Sequence, residues 1–113
     1  MPSVNEHFLG KPAEVKAMYD RLLALAETFG PVEQDPKKTS IHLNRRTAFA
    51  GVAVRKAHIV LTIKSDRAIK SPRIFKSEQT SAKRFHHEIK LGAIGDLDAE
   101  LKGWLKAAYD LSD

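Results

Sequence analysis

Two segments near the ends of the chain repeat apolar residues at the spacing of an amphipathic helix. In residues 12–29 the apolar positions lie three or four residues apart, at Val15, Met18, Leu22, Leu25 and Phe29. Residues 96–111 repeat this spacing, and Trp104 lies on the apolar stripe. Such spacing places apolar side chains on one face of a helix. We therefore predict helices over 12–29 and 96–111, with Trp104 in the core.

Between these helices the hydrophobic period changes to two, which is typical of strands with one buried face. The alternation is clearest in residues 58–64 (HIVLTIK) and 84–91 (RFHHEIKL). The segments that fit strands are 39–43, 47–54, 58–64, 73–79 and 84–91. Gly51 interrupts the second of them, which predicts a bulge or a close backbone approach. The polar segment 65–72 is predicted to be a loop.

The order helix, about five strands, helix predicts an α+β fold. We expect a two-layer sandwich in which both helices cover one face of an antiparallel sheet. The strands are expected to form a meander, in which each strand reverses the direction of the one before it. At 113 residues, the chain is expected to form one domain over 1–113.

Composition narrows the classes of function. The chain has no cysteine, which excludes disulfides, thiolate catalysis and cysteine-bound metals. It lacks the apolar run of about 18 residues that a membrane helix requires. The N-terminal residues do not resemble a secretory signal. We therefore expect a cytoplasmic bacterial protein that needs no cofactor and has no membrane partner.

Charge is distributed unevenly along the chain. Residues 37–90 contain fourteen lysines and arginines but only three acids, whereas the flanking segments contain five basic and eleven acidic residues. A basic sheet beside acidic helices would attract anions to the sheet side. The alternative explanation is that lysines on exposed strands prevent edge-to-edge aggregation. Six of the fourteen bases are arginines, which bind planar phosphate and carboxylate groups well, and this favours anion binding.

A meander brings alternate turns to the same end of the sheet. On that basis we predict one anion-binding cluster and a second, weaker cluster at the opposite end. The first consists of Lys37, Lys38, Arg55, Lys56, Lys83 and Arg84, and the second of Arg45, Arg46, Arg67 and Arg73. The partner would be nucleic acid or an acidic protein surface. Only Phe49 and Phe75 are available as stacking platforms on the strands, so nucleic-acid binding would be directed mainly to the backbone.

The segment RFHHEIKL contains adjacent histidines that resemble a site. Adjacent strand residues point to opposite faces, so His86 and His87 are not expected to bind one metal ion. We expect His87 to be buried and hydrogen-bonded. His42, His58 and His86 share the outward phase, but their spacing is not diagnostic of a metal site. We predict no tight transition-metal site.

Two alternatives to a binding module remain open. Glu88 and Lys90 share a strand face, which permits a metal-dependent or small-ligand enzyme centred on Glu78, His86, Glu88 and Lys90. A cross-strand salt bridge explains the same residues more simply. The other alternative is a homo-oligomer in which the acidic helix of one copy contacts the basic sheet of another.

Several segments together resemble a known family over essentially the whole chain. They are KKTSIHL, FAGVAVRKAHIVLTI, SPRIFKSEQ, FHHEIKL and LKGWLKAAYD, and they resemble the bacterial domain of unknown function DUF5655. This resemblance implies a fold and carries over no catalytic residues. The order of elements is also similar to that of frataxin-like small proteins, which implies nothing about function. Our hypothesis is a non-catalytic module whose basic sheet face binds an anionic partner.

Overall fold

The computed structural model describes residues 2–113, which fold into two α-helices and six strands. The helices are α1 (Ala13–Glu27) and α2 (Ala99–Asp110), and short 3-10 helices cover Asn5–Phe8 and Ile94–Asp96. The strands are β1 (Glu33–Pro36), β2 (Ile41–Asn44), β3 (Ala48–Val54), β4 (Ile59–Ser65), β5 (Ile74–Ser81) and β6 (Arg84–Leu91). Both predicted helices and all five predicted strands are present, and their ends differ by a few residues. The α+β class is therefore confirmed.

The sheet has six strands rather than about five. The additional strand, β1, pairs antiparallel with β2, so that Glu33 lies opposite Asn44 and Pro36 opposite Ile41. Its sequence, EQDP, has no apolar alternation, and a proline is tolerated there because β1 lies at the sheet edge. The sheet therefore includes two acids, Glu33 and Asp35, that the sequence interpretation assigned to the helical part. It remains strongly basic.

The predicted meander is wrong at its final strands. All pairings are antiparallel, but the strand order is β1-β2-β3-β4-β6-β5, so β6 lies between β4 and β5. We call residues 66–73, which connect β4 to the far edge, the crossover loop. Alternate residues of β6 are buried, whereas almost all of β5 is exposed. A strand with an apolar face requires neighbours on both sides, and a polar strand suits the edge.

One buried cluster joins both helices to the sheet. It contains Val15, Met18, Tyr19, Leu22 and Ala26 from α1, Leu101, Leu105, Ala108 and Tyr109 from α2, and alternate residues of the strands. α2 contacts β3 and β4, and α1 contacts β4 and α2. Trp104 is only partly buried, contrary to the core position predicted for it. Within residues 2–113, no helix combines the length and apolar character needed to span a bilayer.

The irregularity predicted at Gly51 lies elsewhere. The β2–β3 register shifts between Leu43 and Asn44, opposite Ala50 and Ala48, so the extra residue on β3 is Phe49. This bulge allows Phe49 to be buried against Tyr109, with ring centroids 5.2 Å apart. Gly51 itself pairs regularly with His42 on one side and Thr62 on the other.

Candidate anion-binding surfaces

Two tight turns lie at the same end of the sheet. The β1–β2 turn is closed by a hydrogen bond from Lys37 N to Ser40 O (2.7 Å), and the β3–β4 turn by one from Arg55 N to His58 O (2.9 Å). The last residues of β6 are at this end too, since Lys90 lies opposite Val60 near the start of β4. We call this region the basic end, and it comprises Lys37, Lys38, Arg55, Lys56, His58 and Lys90.

Most cations of the basic end have no acidic partner. Lys37 Nζ is 2.9 Å from Asp35 Oδ2. Within residues 2–113, the charged groups of Lys38, Arg55, Lys56 and Lys90 form no salt bridge. Burial, followed by the charges of Lys90 and Arg55, lowers the pKa of His58 below its ordinary value. Burial and neighbouring positive charge both disfavour the protonated imidazole.

The strand order separates the predicted six-residue cluster. Ser65, at the end of β4, lies opposite Phe85, near the start of β6, so the β5–β6 turn is at the end opposite Arg55. Lys83 and Arg84 are therefore far from the other four predicted residues, and in this respect the prediction was wrong. Lys90 and His58 occupy the basic end instead. Whether these residues bind an anion stays a prediction.

The second predicted cluster is also divided, and two of its arginines have structural partners. Arg73 precedes β5 and so lies toward the basic end rather than with the other three. Its guanidinium donates to Asp98 Oδ1 (2.8 Å), Glu100 Oε1 (3.2 Å) and Asp96 O (2.6 Å). The Arg45 guanidinium donates to the backbone carbonyl of Tyr109 (3.2 Å), and its Cζ atom lies 4.4 Å from the centroid of the Tyr109 ring. Arg46 and Arg67 are exposed, and Arg67 contacts Asp66 at 3.1 Å.

Strand residues that alternate with the buried ones point to the other face of the sheet, which we call the outer face. On this face a concavity of about 260 Å³, here called the trough, crosses β3 and β4. Small residues of β3, Gly51 and Ala53, lie between His42 on β2 and His86 on β6. The polar residues that line the trough are Ser40, His42, Thr62, Lys64 and His86, and none of its lining residues is acidic.

Lys64 is a half-buried cation that forms no salt bridge with a carboxylate of residues 2–113. Its ammonium donates to the hydroxyl oxygens of Ser112 (2.8 Å) and Thr47 (3.1 Å). Burial, followed by the charge of Arg84, lowers the pKa of Lys64 below its ordinary value. Arg84 Nη1 is buried and has no hydrogen-bond partner among residues 2–113. Lys64 and Arg84 thus form a second site of positive charge, which the sequence interpretation missed because it grouped residues by turns.

A larger concavity of about 560 Å³ lies between the crossover loop and α2. Trp104 and Ile69 contribute apolar surface to it. Its charged lining residues are Lys64, Arg67, Asp66 and Asp110. Two bases and two acids give this concavity no net preference for an anion, which distinguishes it from the trough.

The adjacent histidines behave as predicted. His87 is 1% exposed, whereas His86 is exposed on the outer face. The Nε2–H group of His87 donates to Arg67 O (3.1 Å), and its Nδ1 is hydrogen-bonded to the Ser77 hydroxyl (2.7 Å). A carbonyl can only accept, so Nε2 carries a proton, whereas the Ser77 hydroxyl can act as donor or acceptor toward Nδ1. His87 thereby holds the crossover loop against β6.

The other histidines are widely spaced. Two strands separate His42 from His86, a distance of about 14 Å across the sheet. His58 lies at the basic end, near Lys90. Among residues 2–113, no group of three or more His, Asp or Glu side chains is placed to hold a metal ion.

The alternative centre of Glu78, His86, Glu88 and Lys90 is spread over two strands. Glu78 lies opposite His86, while Glu88 lies opposite Lys76 and contacts its ammonium at 3.7 Å. This contact is the cross-strand salt bridge that the simpler interpretation predicts.

The two candidate stacking residues of the strands differ in exposure. Phe49 is buried, whereas Phe75 is 58% exposed at a register shift in β5.

Comparison with known proteins identifies a family but no characterised relative. The family model described as "Domain of unknown function (DUF5655)" matches residues 4–112. No curated protein and no solved structure matches the chain. The likeness to frataxin-like proteins is therefore one of element order alone. Because the family match covers nearly the whole chain, this protein belongs to the DUF5655 family.

Proposed function

We propose that this protein is a non-catalytic module whose basic end binds the phosphate backbone of nucleic acid. In this proposal the helices cover one face of the sheet, and the exposed turns at one end approach the polyanion. The observation that supports it is the set of four cations (Lys38, Arg55, Lys56 and Lys90) that have no salt bridge within residues 2–113.

The spacing of the turns suits an extended polyanion. The β1–β2 and β3–β4 turns are two strand spacings apart, which is about 10 Å. Lys90 adds a cation on the next strand, so the charges follow a line across the sheet end. Mutual repulsion among them is a cost to stability that a row of phosphates would relieve. Since Phe49 is buried, Phe75 is the one of the two candidate stacking residues that is exposed, and contacts to the backbone should dominate over base stacking.

The test compares two triple variants with the same change in charge. Lys38, Arg55 and Lys56 are changed to glutamate in the first, and Arg46, Arg67 and Lys83 in the second. All six residues are exposed, so both variants should fold. We expect the first variant to lose retention on heparin and binding to a fluorescent DNA duplex at moderate salt. The second should bind almost as the wild type does.

Three outcomes contradict the proposal. Loss of binding only in the second variant would assign the site to the end with Arg46. Equal behaviour of both variants and the wild type would mean that the charges serve solubility. Heparin retention without binding to DNA would favour an acidic protein as the partner.

A further inference from the structure

We propose that the trough on the outer face is a second and separate site, which binds a phosphate monoester of a small, flat organic molecule. The phosphate would lie beside Lys64 and His86, and the organic group would cover Gly51. This site is independent of the proposed nucleic-acid function.

Lys64, the cation that lines the trough, has a hydrogen-bond donor to spare. An ammonium has three N–H donors, and Lys64 uses two of them on Ser112 and Thr47. Lys64 lies directly opposite His86, which places their Cβ atoms about 5 Å apart. Arg84, two residues before His86, adds positive charge near Lys64 without lining the trough. An anion with several oxygens satisfies such a convergence of donors.

No carboxylate among the lining residues of the trough would compete with an anionic ligand for Lys64. The acids closest to His86 along the strands are Glu78 and Glu88, and neither lines the trough. The carboxylate of Glu88 is turned to Lys76 across the β5–β6 pair, at 3.7 Å. No residue that lines the trough offers a carboxylate to Lys64, whereas Asp66 and Asp110 share the larger concavity with it. Burial, followed by the charge of Arg84, lowers the pKa of Lys64, so an anion here would offset an unfavourable environment for the ammonium.

Gly51, on the floor of the trough, is also consistent with a ligand there. Its backbone φ is not in the left-handed region, and a Cβ built on it would meet nothing closer than 3.9 Å, at His42 Cδ2. Neither backbone conformation nor packing within the protein requires glycine here, although glycine weakens a strand interior. A glycine in a strand often marks a close approach by a ligand. In the trough it leaves a flat floor of backbone between His42 and Thr62.

The test uses phenyl phosphate as the probe, with inorganic phosphate and benzyl alcohol for comparison, in isothermal titration calorimetry. Gly51→Val should fill the floor and weaken binding of phenyl phosphate at least tenfold, while raising the melting temperature because valine favours a strand. Gly51→Ala should retain most of the affinity. Lys64→Met should weaken binding at least tenfold, and Lys90→Met, a matched change outside the trough, should leave it unchanged.

Several results would overturn the proposal. One is that phenyl phosphate does not bind at millimolar concentration. Another is that the wild type, Gly51→Val and Lys64→Met bind it equally well. Inorganic phosphate binding as tightly as phenyl phosphate would refute the role of the Gly51 floor, and benzyl alcohol binding equally well would refute the role of the cations. The two proposals can be refuted separately. Gly51→Val should still be retained on heparin, and the Lys38/Arg55/Lys56 variant should still bind phenyl phosphate.

Discussion

At the scale of single residues, glycines that look alike in the sequence have different roles in the structure. Gly30 follows α1 with φ 148°, and a Cβ added there would collide with the Tyr109 hydroxyl. That hydroxyl donates to Pro31 O at 3.0 Å, so the turn after α1 is joined to α2. Gly103, in α2, has nothing within 4 Å of a built Cβ. Contacts distant in sequence therefore decide which glycine can be replaced.

We predict opposite effects of the same substitution at these two positions. Gly30→Ala should lower the free energy of unfolding by about 2 kcal/mol or more, because it combines an unfavourable φ with a steric collision. Gly103→Ala should raise it by about 0.5–1 kcal/mol through helix propensity. Urea denaturation measures both changes. Equal stability of the two variants would mean that the Gly30–Tyr109 contact does not form.

At the scale of elements, the start of α2 is bound to the start of β5. Asp98 caps the helix by accepting from Leu101 N (3.0 Å), and it also forms a salt bridge with Arg73 (2.8 Å). Arg73 lies 5.7 Å from the centroid of the Trp104 ring. The hydrogen bond from Leu101, followed by that from Arg73, lowers the pKa of the Asp98 carboxyl. The crossover loop ends at this attachment, which helps to place β5 at the sheet edge.

The lowered pKa of Asp98 predicts how stability depends on pH. A carboxyl whose pKa is lower in the folded state stabilises the fold above its unfolded pKa, and this contribution is lost as the pH falls through the folded value. Asp98→Asn retains an oxygen that can cap the helix but removes the titrating charge. The variant should therefore melt below the wild type at pH 7, and the difference should vanish as the pH falls through and below about 4.

The matched control is Asp20→Asn, which removes an exposed carboxylate paired with Lys16 one helical turn away. Its melting temperature should follow that of the wild type closely at each pH, since such surface pairs contribute little. Thermal unfolding followed by circular dichroism between pH 2 and 7 provides the comparison. A constant difference between wild type and Asp98→Asn over the whole range would show that the Asp98 charge does not stabilise the fold.

At the scale of the whole molecule, charge is concentrated on the sheet. Residues 33–91, which include all six strands and their turns, carry fourteen basic and five acidic residues. α1 carries three acids and two bases and α2 carries two of each, so the excess of positive charge lies on the sheet and not on the helices. Such a field would orient a polyanion toward the basic end before contact. Self-association through the acidic helices stays a prediction.

If the basic end binds duplex DNA, the salt dependence of the binding constant should report how many phosphates its cations contact. The logarithm of the binding constant falls against the logarithm of salt concentration with a slope of about −0.9 for each phosphate neutralised. Four unpaired cations predict a slope of about −3 to −4. Lys56→Gln should reduce its magnitude by about 0.9, whereas Lys83→Gln at the opposite end should leave it unchanged. Fluorescence anisotropy at several salt concentrations measures these slopes, and equal slopes in the two variants would contradict the assignment of the site.

Much of the local structure could be predicted from the sequence, and much of the site could not. The periodicity identified two helices and five strands, and it assigned His86 and His87 to opposite faces. β1 escaped prediction because EQDP has no apolar pattern and pairs only at an edge. The trough escaped prediction because its lining residues come from separate strands. Lys64 was visible as an outward residue of β4, but its lack of a carboxylate partner is a fact of three dimensions.

The sequence by itself determined which residues form each element and which face of each strand is buried, because periodicity acts between neighbours along the chain. It also determined the excess of positive charge between the two helices. Only the tertiary structure decided that β6 lies between β4 and β5, because an apolar strand face requires neighbours on both sides and a polar strand does not. That choice reversed the direction of the last two strands relative to a meander. It moved Lys83 and Arg84 to the end where Arg84 lies beside Lys64, and it brought Lys90 to the basic end.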